Sequence, residues 1–254
     1  MTVDEVIDVL EAYFPLSLQE GWDNSGLQIS KQDNIIKGVL LSLDVGMKTI
    51  KEAENNNCDL VIAHHPLLFK STKKIYSSVY PYNVLQEAIK NNIGVYAFHT
   101  NLDIAKDGLN DRLCRMLKLR DVHIIENTPP LRIGELEKAM PLNEAIEYIK
   151  NRLGVSRVKY TGYDKSIVKK IAVCSGSCAD MVYEIKEDFD LFLTGDLKHH
   201  TAFYAKESGI NIVDATHFYT EICSKHILAD ILSEKLKNVK IVISKSDELP
   251  WKYK

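Results

Sequence analysis

The feature that most constrains the fold of this chain is an internal repeat. Residues 37–65, KGVLLSLDVGMKTIKEAENNNCDLVIAHH, share a pattern with residues 169–196, KKIAVCSGSCADMVYEIKEDFDLFLTGD. Each stretch has a basic start, an apolar strand, a small-residue turn, a polar-faced helix, and an aspartate followed by a second apolar strand. Strands that alternate with helices of this length form βαβ units with parallel strands, so the repeat predicts two related α/β halves.

The repeat continues through a further helix and a third strand in each half. The helices are YNVLQEAIKNN and KHHTAFYAKES, and the strands are NIGVYAF and GINIVDA. In the first half the third strand leads to His99 and Asp103, within HTNLD. In the second half it leads to His217 and Glu221, within HFYTE. By position His99 corresponds to His217. A chance likeness of two generic βαβ units is the alternative, but the polar strand ends match as well as the apolar pattern.

The proline-rich segment TPPLRIGELEKAMP, residues 128–141, is a plausible connection between the halves. We therefore expect a first α/β domain over residues 1–127 and a second over residues 128–254, with the C-terminal helix and strand free to pack back onto the first. Pro141 is placed to be the first residue of the helix LNEAIEYIKNRL, a position that proline favours.

Composition and charge exclude several classes of protein. The chain has 254 residues, of which 32 are basic and 35 acidic, and this balance does not indicate a nucleic-acid surface. Its first residues form an acidic amphipathic helix with Thr2 and Glu5 spaced as a capping box, which differs from a cationic signal peptide. The five scattered cysteines are typical of reduced thiols, and no apolar run reaches the length of a membrane span. We expect a soluble cytoplasmic protein.

Two adjacent histidines, His64 and His65, end the second strand of the first half, and Pro66 follows them. Neighbouring side chains on a strand point to opposite faces, so two histidines converge only where the strand turns into a loop. Parallel strands bring such ends to one edge of the sheet, where α/β proteins hold ligands. One capping and one solvated histidine would be the alternative if the pair stood alone.

Imidazoles and carboxylates at these strand ends predict a metal site. Borderline ligands of this kind suit zinc, iron, manganese, nickel or cobalt. One cation would use three or four such groups, and five or six indicate two cations. The pair His217 and Glu221 would present both side chains on one face of a helix, one turn apart.

Five motifs resemble, in order and nearly throughout the chain, the NIF3-like proteins, also called the GTP cyclohydrolase I type 2/NIF3 family. They are WDNSGLQ (22–28), AHHPLLF (63–69), HTNLD (99–103), TGDLKHH (194–200) and DATHFYTE (214–221). The resemblance implies two α/β domains with a di-metal site in the cleft between them, and a toroidal homohexamer. This chain resembles the short form of the family, which lacks an inserted domain.

The resemblance also implies a set of metal ligands. His64 and Asp103 would bind one cation, His65 and His217 the other, and Glu221 both. The family commonly has glutamate where this chain has Asp196, and this difference leaves the role of Asp196 open. The sequence also leaves open the roles of His199, His200 and the WDNSG segment.

His99 stays outside the ligand set that the resemblance implies. A catalytic centre needs coordination positions for water and substrate, so a further protein ligand would work against turnover. We therefore predict that His99 is the catalytic residue and transfers protons. The alternative is that it orients a ligand carboxylate such as Asp103.

The resemblance implies a di-metal-dependent hydrolase acting on a small molecule, most concretely GTP, whose purine ring would open toward dihydroneopterin triphosphate. A metal-dependent phosphoesterase and a metal-binding oligomeric scaffold without turnover are the alternatives. A purine would need an aromatic or apolar wall, and a loop with Tyr76, Tyr80 and Tyr82 is one candidate.

Overall fold

Helices and strands alternate along most of this computed structural model, which describes residues 1–125 and 128–252. The α-helices in chain order are α1 (Val3–Glu11), α2 (Met47–Asn55), α3 (Tyr82–Lys90), α4 (Thr100–Ile104), α5 (Leu109–Met116), α6 (Leu142–Leu153), α7 (His199–Glu207), α8 (His217–Glu221) and α9 (Ser224–Lys235). The strands are β1 (Gly26–Ile29), β2 (Gly38–Ser42), β3 (Leu60–Ala63), β4 (Gly94–Ala97), β5 (Arg120–Ile124), β6 (Arg132–Pro141), β7 (Lys159–Thr161), β8 (Ile167–Val173), β9 (Leu191–Thr194), β10 (Ile212–Asp214) and β11 (Lys240–Ile243). Among the described residues, no helix combines the length and apolar character that crossing a membrane requires.

The chain divides into two compact units. The first contains Met1–Ala105 and Ser224–Lys254, and the second contains Lys106–Cys223. The predicted junction at residue 127 lies outside the described residues, and residues 106–125 belong to the second unit. The C-terminal elements α9 and β11 belong to the first unit, so this unit is built from both ends of the chain.

The first unit contains a mostly parallel sheet with the strand order β1-β4-β3-β2-β11. Strand β1 is antiparallel to β4, and the other neighbours are parallel. Every residue of β2, β3 and β4 is buried, as expected for parallel strands with helices packed against them. Helix α1 has the predicted capping box, because Glu5 N donates to Thr2 Oγ1 (3.1 Å) and Thr2 N donates to the Glu5 carboxylate (2.7 Å).

The second unit contains a mixed sheet with the strand order β5-β6-β8-β9-β10-β7. Its three repeat strands, β8, β9 and β10, are parallel neighbours, and β5, β6 and β7 add antiparallel pairs. Pro141 is the last residue of β6 and the N-cap of α6, one position before its predicted place inside the helix. It takes the N-cap position because its extended ψ of 152° keeps it in the strand conformation.

One predicted helix, between β8 and β9, is reduced to a 3-10 helix over Ala179–Tyr183. Apolar side chains with helical spacing, Met181, Val182, Ile185 and Phe189, still pack against the core of the unit. The apolar side chains that predicted a helix are therefore packed against the core, although the backbone here does not form a full α-helix.

The aspartate common to both repeats has the same structural role in each unit. Asp59 Oδ1 accepts a hydrogen bond from Lys37 N (2.8 Å), just before β2. Asp190 Oδ2 accepts from Lys169 N (2.8 Å), in β8. Each carboxylate therefore fixes its own strand to the start of the neighbouring one, which explains why the repeat keeps an aspartate at this position.

Candidate metal centre

Three histidines gather at one edge of the sheet in the first unit. His64 and His65 follow β3, and His99 follows the neighbouring parallel strand β4. The ring centroid of His64 lies 5.0 Å from that of His65 and 5.3 Å from that of His99. Each of the three rings offers a nitrogen within 4.8 Å of the others. The carboxyl ends of adjacent parallel strands thus bring these imidazoles together.

The two adjacent histidines have defined tautomers. His64 Nδ1 lies 2.8 Å from the carbonyl oxygen of Phe98, and His65 Nδ1 lies 2.8 Å from Asp44 Oδ1. A carbonyl or an ionised carboxylate can only accept, so Nδ1 carries the proton in each neutral ring and Nε2 carries the lone pair. This is the arrangement in which histidines bind metals through Nε2, with the other nitrogen held by an oxygen.

The C-terminal segment of the chain supports Asp44. Asp247 Oδ1 accepts hydrogen bonds from Leu43 N (3.0 Å) and Asp44 N (3.3 Å), and Asp247 Oδ2 forms a buried ion pair with Lys225 Nζ (2.6 Å). The loop that carries Asp44, and through it the ring of His65, is therefore fixed by residues from the far end of the sequence.

His99 is held by the WDNSG segment. Asp23 accepts hydrogen bonds from His99 Nδ1 (2.7 Å), Thr100 Oγ1 (2.6 Å) and Ser25 Oγ (2.7 Å). Burial raises the pKa of Asp23, but the hydrogen bonds from His99, Thr100 and Ser25 outweigh it and hold that pKa well below its usual range. The role of the WDNSG segment, which the sequence left open, therefore includes a carboxylate that orients a histidine of the cluster.

Asp103 approaches the buried histidine of the cluster. It lies on the short helix α4, and its Oδ1 is 3.7 Å from His64 Nε2. The side chain of His64 is fully buried. This separation is compatible with a shared cation, the role that the resemblance implies for this pair.

In the second unit, His217 lies between two carboxylates. Its Nε2 is 2.7 Å from Glu221 Oε2, and its Nδ1 is 2.7 Å from Asp196 Oδ2. Burial lowers the pKa of His217, but the charge of Glu221 and the hydrogen bonds to both carboxylates raise it to about 11. Two negative groups therefore surround one imidazole and favour a positive charge there, which a proton or a metal cation can supply. Asp196, whose role the sequence left open, orients His217.

Two glycines make room for this pair. Gly176 has a φ of +63°, and a Cβ there would lie 2.0 Å from Glu221 Oε1. A Cβ on Gly195 would lie 2.7 Å from His217 N. A side chain at either position would collide with the histidine–glutamate pair, so this unit needs glycine both in the turn after β8 and directly after β9.

The sheet registers correct the expected equivalence of His99 and His217. In each unit the second repeat strand pairs with the third. In the first unit Val61 of β3 is paired with Val95 of β4, and in the second unit Phe192 of β9 is paired with Ile212 of β10. Counted from these pairs, His217 corresponds to Thr100, and His99 corresponds to Thr216. The expectation was wrong by one residue because α4 begins after His99, its N-cap, whereas α8 begins at His217 itself.

This shift changes what each histidine can contact. His217 and Glu221 lie inside one helix, four residues apart and on the same face. His99 precedes its helix, and its Nδ1 contacts Asp23 instead. The remaining histidines of the TGDLKHH motif, His199 and His200, are exposed at the start of α7 with ring centroids 5.4 Å apart.

The donors described above fit a divalent cation. They are imidazole nitrogens and carboxylate oxygens, a combination that suits zinc, iron, manganese, nickel or cobalt. Asp44 and Asp196 accept hydrogen bonds from the Nδ1 atoms of His65 and His217, and carboxylates commonly orient metal-binding histidines in this way. Each unit thus has groups that are able to bind metal.

Comparison with known proteins identifies relatives along the whole chain. The model of the family Duf34/NIF3 (NGG1p interacting factor 3) matches residues 1–250. A protein of Clostridium perfringens named GTP cyclohydrolase 1 type 2 homolog is 34% identical over 261 residues, covering 100% of each chain. The GTP cyclohydrolase 1 type 2 of Helicobacter pylori strain J99 is 36% identical over 230 residues, covering 91% of each.

The fold also matches a solved structure. The crystal structure of a Bacillus cereus protein related to NIF3 has a TM-score of 0.93 to this chain, at 23% identity, and covers 100% of this chain and 99% of the other. The predicted pair of α/β units is therefore confirmed as the fold of this group of proteins.

Proposed function

This chain belongs to the Duf34/NIF3 family, and we propose that it is a hydrolase that uses two divalent cations to act on a nucleotide, most concretely GTP. Relatives at 34% and 36% identity carry the name GTP cyclohydrolase 1 type 2 or its homolog, and this supports a purine nucleotide as substrate. The reaction proposed is hydrolytic opening of the purine ring toward dihydroneopterin triphosphate.

The ligands proposed for the two cations follow the family resemblance. His64 and Asp103 would hold one, His65 and His217 the other, and Glu221 both. When bound, the cations would supply Lewis-acid activation of water and stabilisation of the negative charge that develops on the substrate. The observation that carries the proposal is that an oxygen acceptor holds the Nδ1 atom of each of His64, His65 and His217, as is typical of metal-binding histidines.

His99 is proposed as the residue that moves a proton. Its Nδ1 is held by Asp23, so the ring is oriented while Nε2 is able to accept or donate. The alternative, in which the N–H of His99 orients Asp103, has less support, since that N–H is directed at Asp23. An imidazole with a fixed orientation, next to the other cluster histidines, is placed to move a proton.

The test of this proposal compares two substrates. Metal-loaded protein is incubated with GTP and with a generic phosphodiester, while pterin-type fluorescence and phosphate release are followed. We expect a fluorescent product from GTP. Phosphate release alone would favour a phosphoesterase. The absence of both signals, with the metals verified in place, would contradict a hydrolase and support a scaffold.

We also propose that the chain forms a homo-oligomer, and specifically a hexamer. The support for this is the family resemblance. Sedimentation velocity at micromolar concentration should show a species several times the 28.8 kDa of one chain. A monomer at that concentration would contradict the proposal.

A further inference from the structure

Two large aromatic side chains stand exposed beside His99 in the first unit. Trp22 is 62% exposed and Phe69 is 47% exposed. Their ring centroids lie 5.9 Å apart, and the centroid of each lies about as far from that of His99, at 6.1 Å and 6.0 Å. All three contacts are edge-to-face, with interplanar angles of 69° to 84°. Aromatic side chains of this size are usually buried, so two exposed together next to a polar cluster require an explanation.

The two aromatic residues are held by a network of hydrogen bonds. Asn24 Nδ2 donates to the carbonyl oxygen of Leu68 (2.6 Å), and Leu68 N donates to Gln28 Oε1 (3.2 Å). These bonds connect the segment that carries Trp22 to the loop that carries Phe69. These bonds fix the backbone segments that carry the exposed rings, which reduces the conformational entropy that the protein would lose when a ligand binds.

We propose that Trp22 and Phe69 form a subsite for the planar heteroaromatic base of a nucleotide. This inference rests on the proposed function and names the part of the substrate that the site recognises. Neither ring offers charge to a phosphate, whereas both offer the apolar π surface on which a base stacks. A base placed there lies beside His99, the group proposed to move a proton during ring opening.

The tyrosine loop suggested by the sequence is a weaker candidate for this wall. Tyr76 and Tyr80 are also exposed, at 59% and 60%. The ring contacts to His99 described above, however, come from Trp22 and Phe69. Trp22 also adjoins Asp23, the carboxylate that orients His99. Trp22 therefore belongs to the segment that orients the proton-transfer group.

Tryptophan fluorescence provides the first test. The chain contains two tryptophans, so Trp251→Phe leaves Trp22 as the only one. Metal-loaded Trp251→Phe protein is titrated with GTP, with guanosine and with inorganic triphosphate. We expect GTP and guanosine to quench the emission because the base stacks on the indole, and triphosphate to leave it unchanged.

Calorimetric titration of the metal-loaded variants provides the second test. Trp22→Ala and Phe69→Ala should each weaken GTP binding roughly ten-fold or more, with Trp22→Phe less affected, since stacking contributes at this level. Trp251→Ala, which removes another exposed tryptophan, is the matched control and should bind GTP as the wild type does. Metal content is measured in each variant, so that a loss of cations is not mistaken for a loss of stacking.

Three results would overturn the subsite. The first is wild-type protein that binds neither GTP nor guanosine, and the second is unchanged affinity in both alanine variants. The third is a Trp22→Ala protein with unchanged GTP affinity but an altered sedimentation coefficient, which would show that the rings contact a second copy of the chain. Stacking-dependent binding without turnover would contradict the hydrolase and leave the subsite standing.

Discussion

The two units carry different residues at matching positions of one βαβ frame. After the first repeat strand, the first unit has Asp44, which holds His65, and the second unit has Gly176, which makes room for Glu221. Where the first unit has His65, the second has Asp196, which holds His217. A position that presents a candidate ligand in one unit therefore supplies the support for a ligand in the other.

His64 also has no equivalent histidine in the second unit. Its counterpart in the second unit is Gly195, where a Cβ would collide with the backbone of His217. The first unit thus concentrates imidazoles with Nε2 lone pairs, and the second concentrates carboxylates around one imidazole. The two units therefore differ in the number of imidazoles at equivalent strand ends, although their βαβ frame is the same.

The largest effect is expected from the carboxylate of the second unit. Glu221→Ala removes the group proposed to contact both cations, so metal content should fall from about two to below one per chain. Elemental analysis of the folded protein after dialysis provides the measurement. Glu207→Ala, a change at an exposed glutamate of α7, is the control and should keep both metals. Two metals in a folded Glu221→Ala protein would rule out the bridging role.

His99 and His217 should respond differently to the same change. His217→Ala should lose a cation, whereas His99→Ala should keep metal content near two per chain while turnover falls by about 10²-fold or more. Metal analysis and GTP turnover are measured on both proteins. Loss of a whole metal equivalent in His99→Ala would show that His99 is a ligand and that the units are more alike than the one-residue shift implies.

Changes to the supporting carboxylates should distinguish the histidines proposed as ligands from His99, which is proposed to move a proton. Asp44→Asn and Asp196→Asn should each weaken metal affinity by about 10- to 100-fold, because an amide holds the ligand imidazole less firmly than a carboxylate. Asp23→Asn is the matched change behind His99 and should leave metal affinity unchanged. Competition with a chromogenic chelator measures all three, and an equal loss in Asp23→Asn would place His99 among the ligands.

Asp23 should contribute to stability in a way that depends on pH. Its pKa in the folded protein is below the unfolded value of about 3.9, so ionisation stabilises the folded state above that pH, and this contribution is lost as the pH falls toward the folded pKa. In chelator-treated protein, Asp23→Asn should lower the free energy of unfolding by on the order of 2 kcal/mol near pH 7. Urea titrations should show the gap to wild type narrowing below about pH 4, and a gap that stays constant would contradict the charge-based account.

The sequence was sufficient to predict the parts of the fold that depend on local pattern. Apolar runs and helical periodicity located the parallel repeat strands, and the strand ends located His64, His65 and His99. The contact of Asp23 with His99 joins residues 76 positions apart, and no local pattern reports it. The support of Asp44 by Asp247 likewise depends on tertiary packing.

We propose two cations per chain with ligands from both units, and the number of bound metal ions is the quantity that decides this proposal. Chelator-stripped wild type, His64→Ala and His217→Ala proteins are dialysed to equilibrium against zinc and analysed for metal and protein. We expect two zinc ions per wild-type chain and the loss of at least one in each variant. One ion or none in the wild type, or two retained in both folded variants, would contradict the claim.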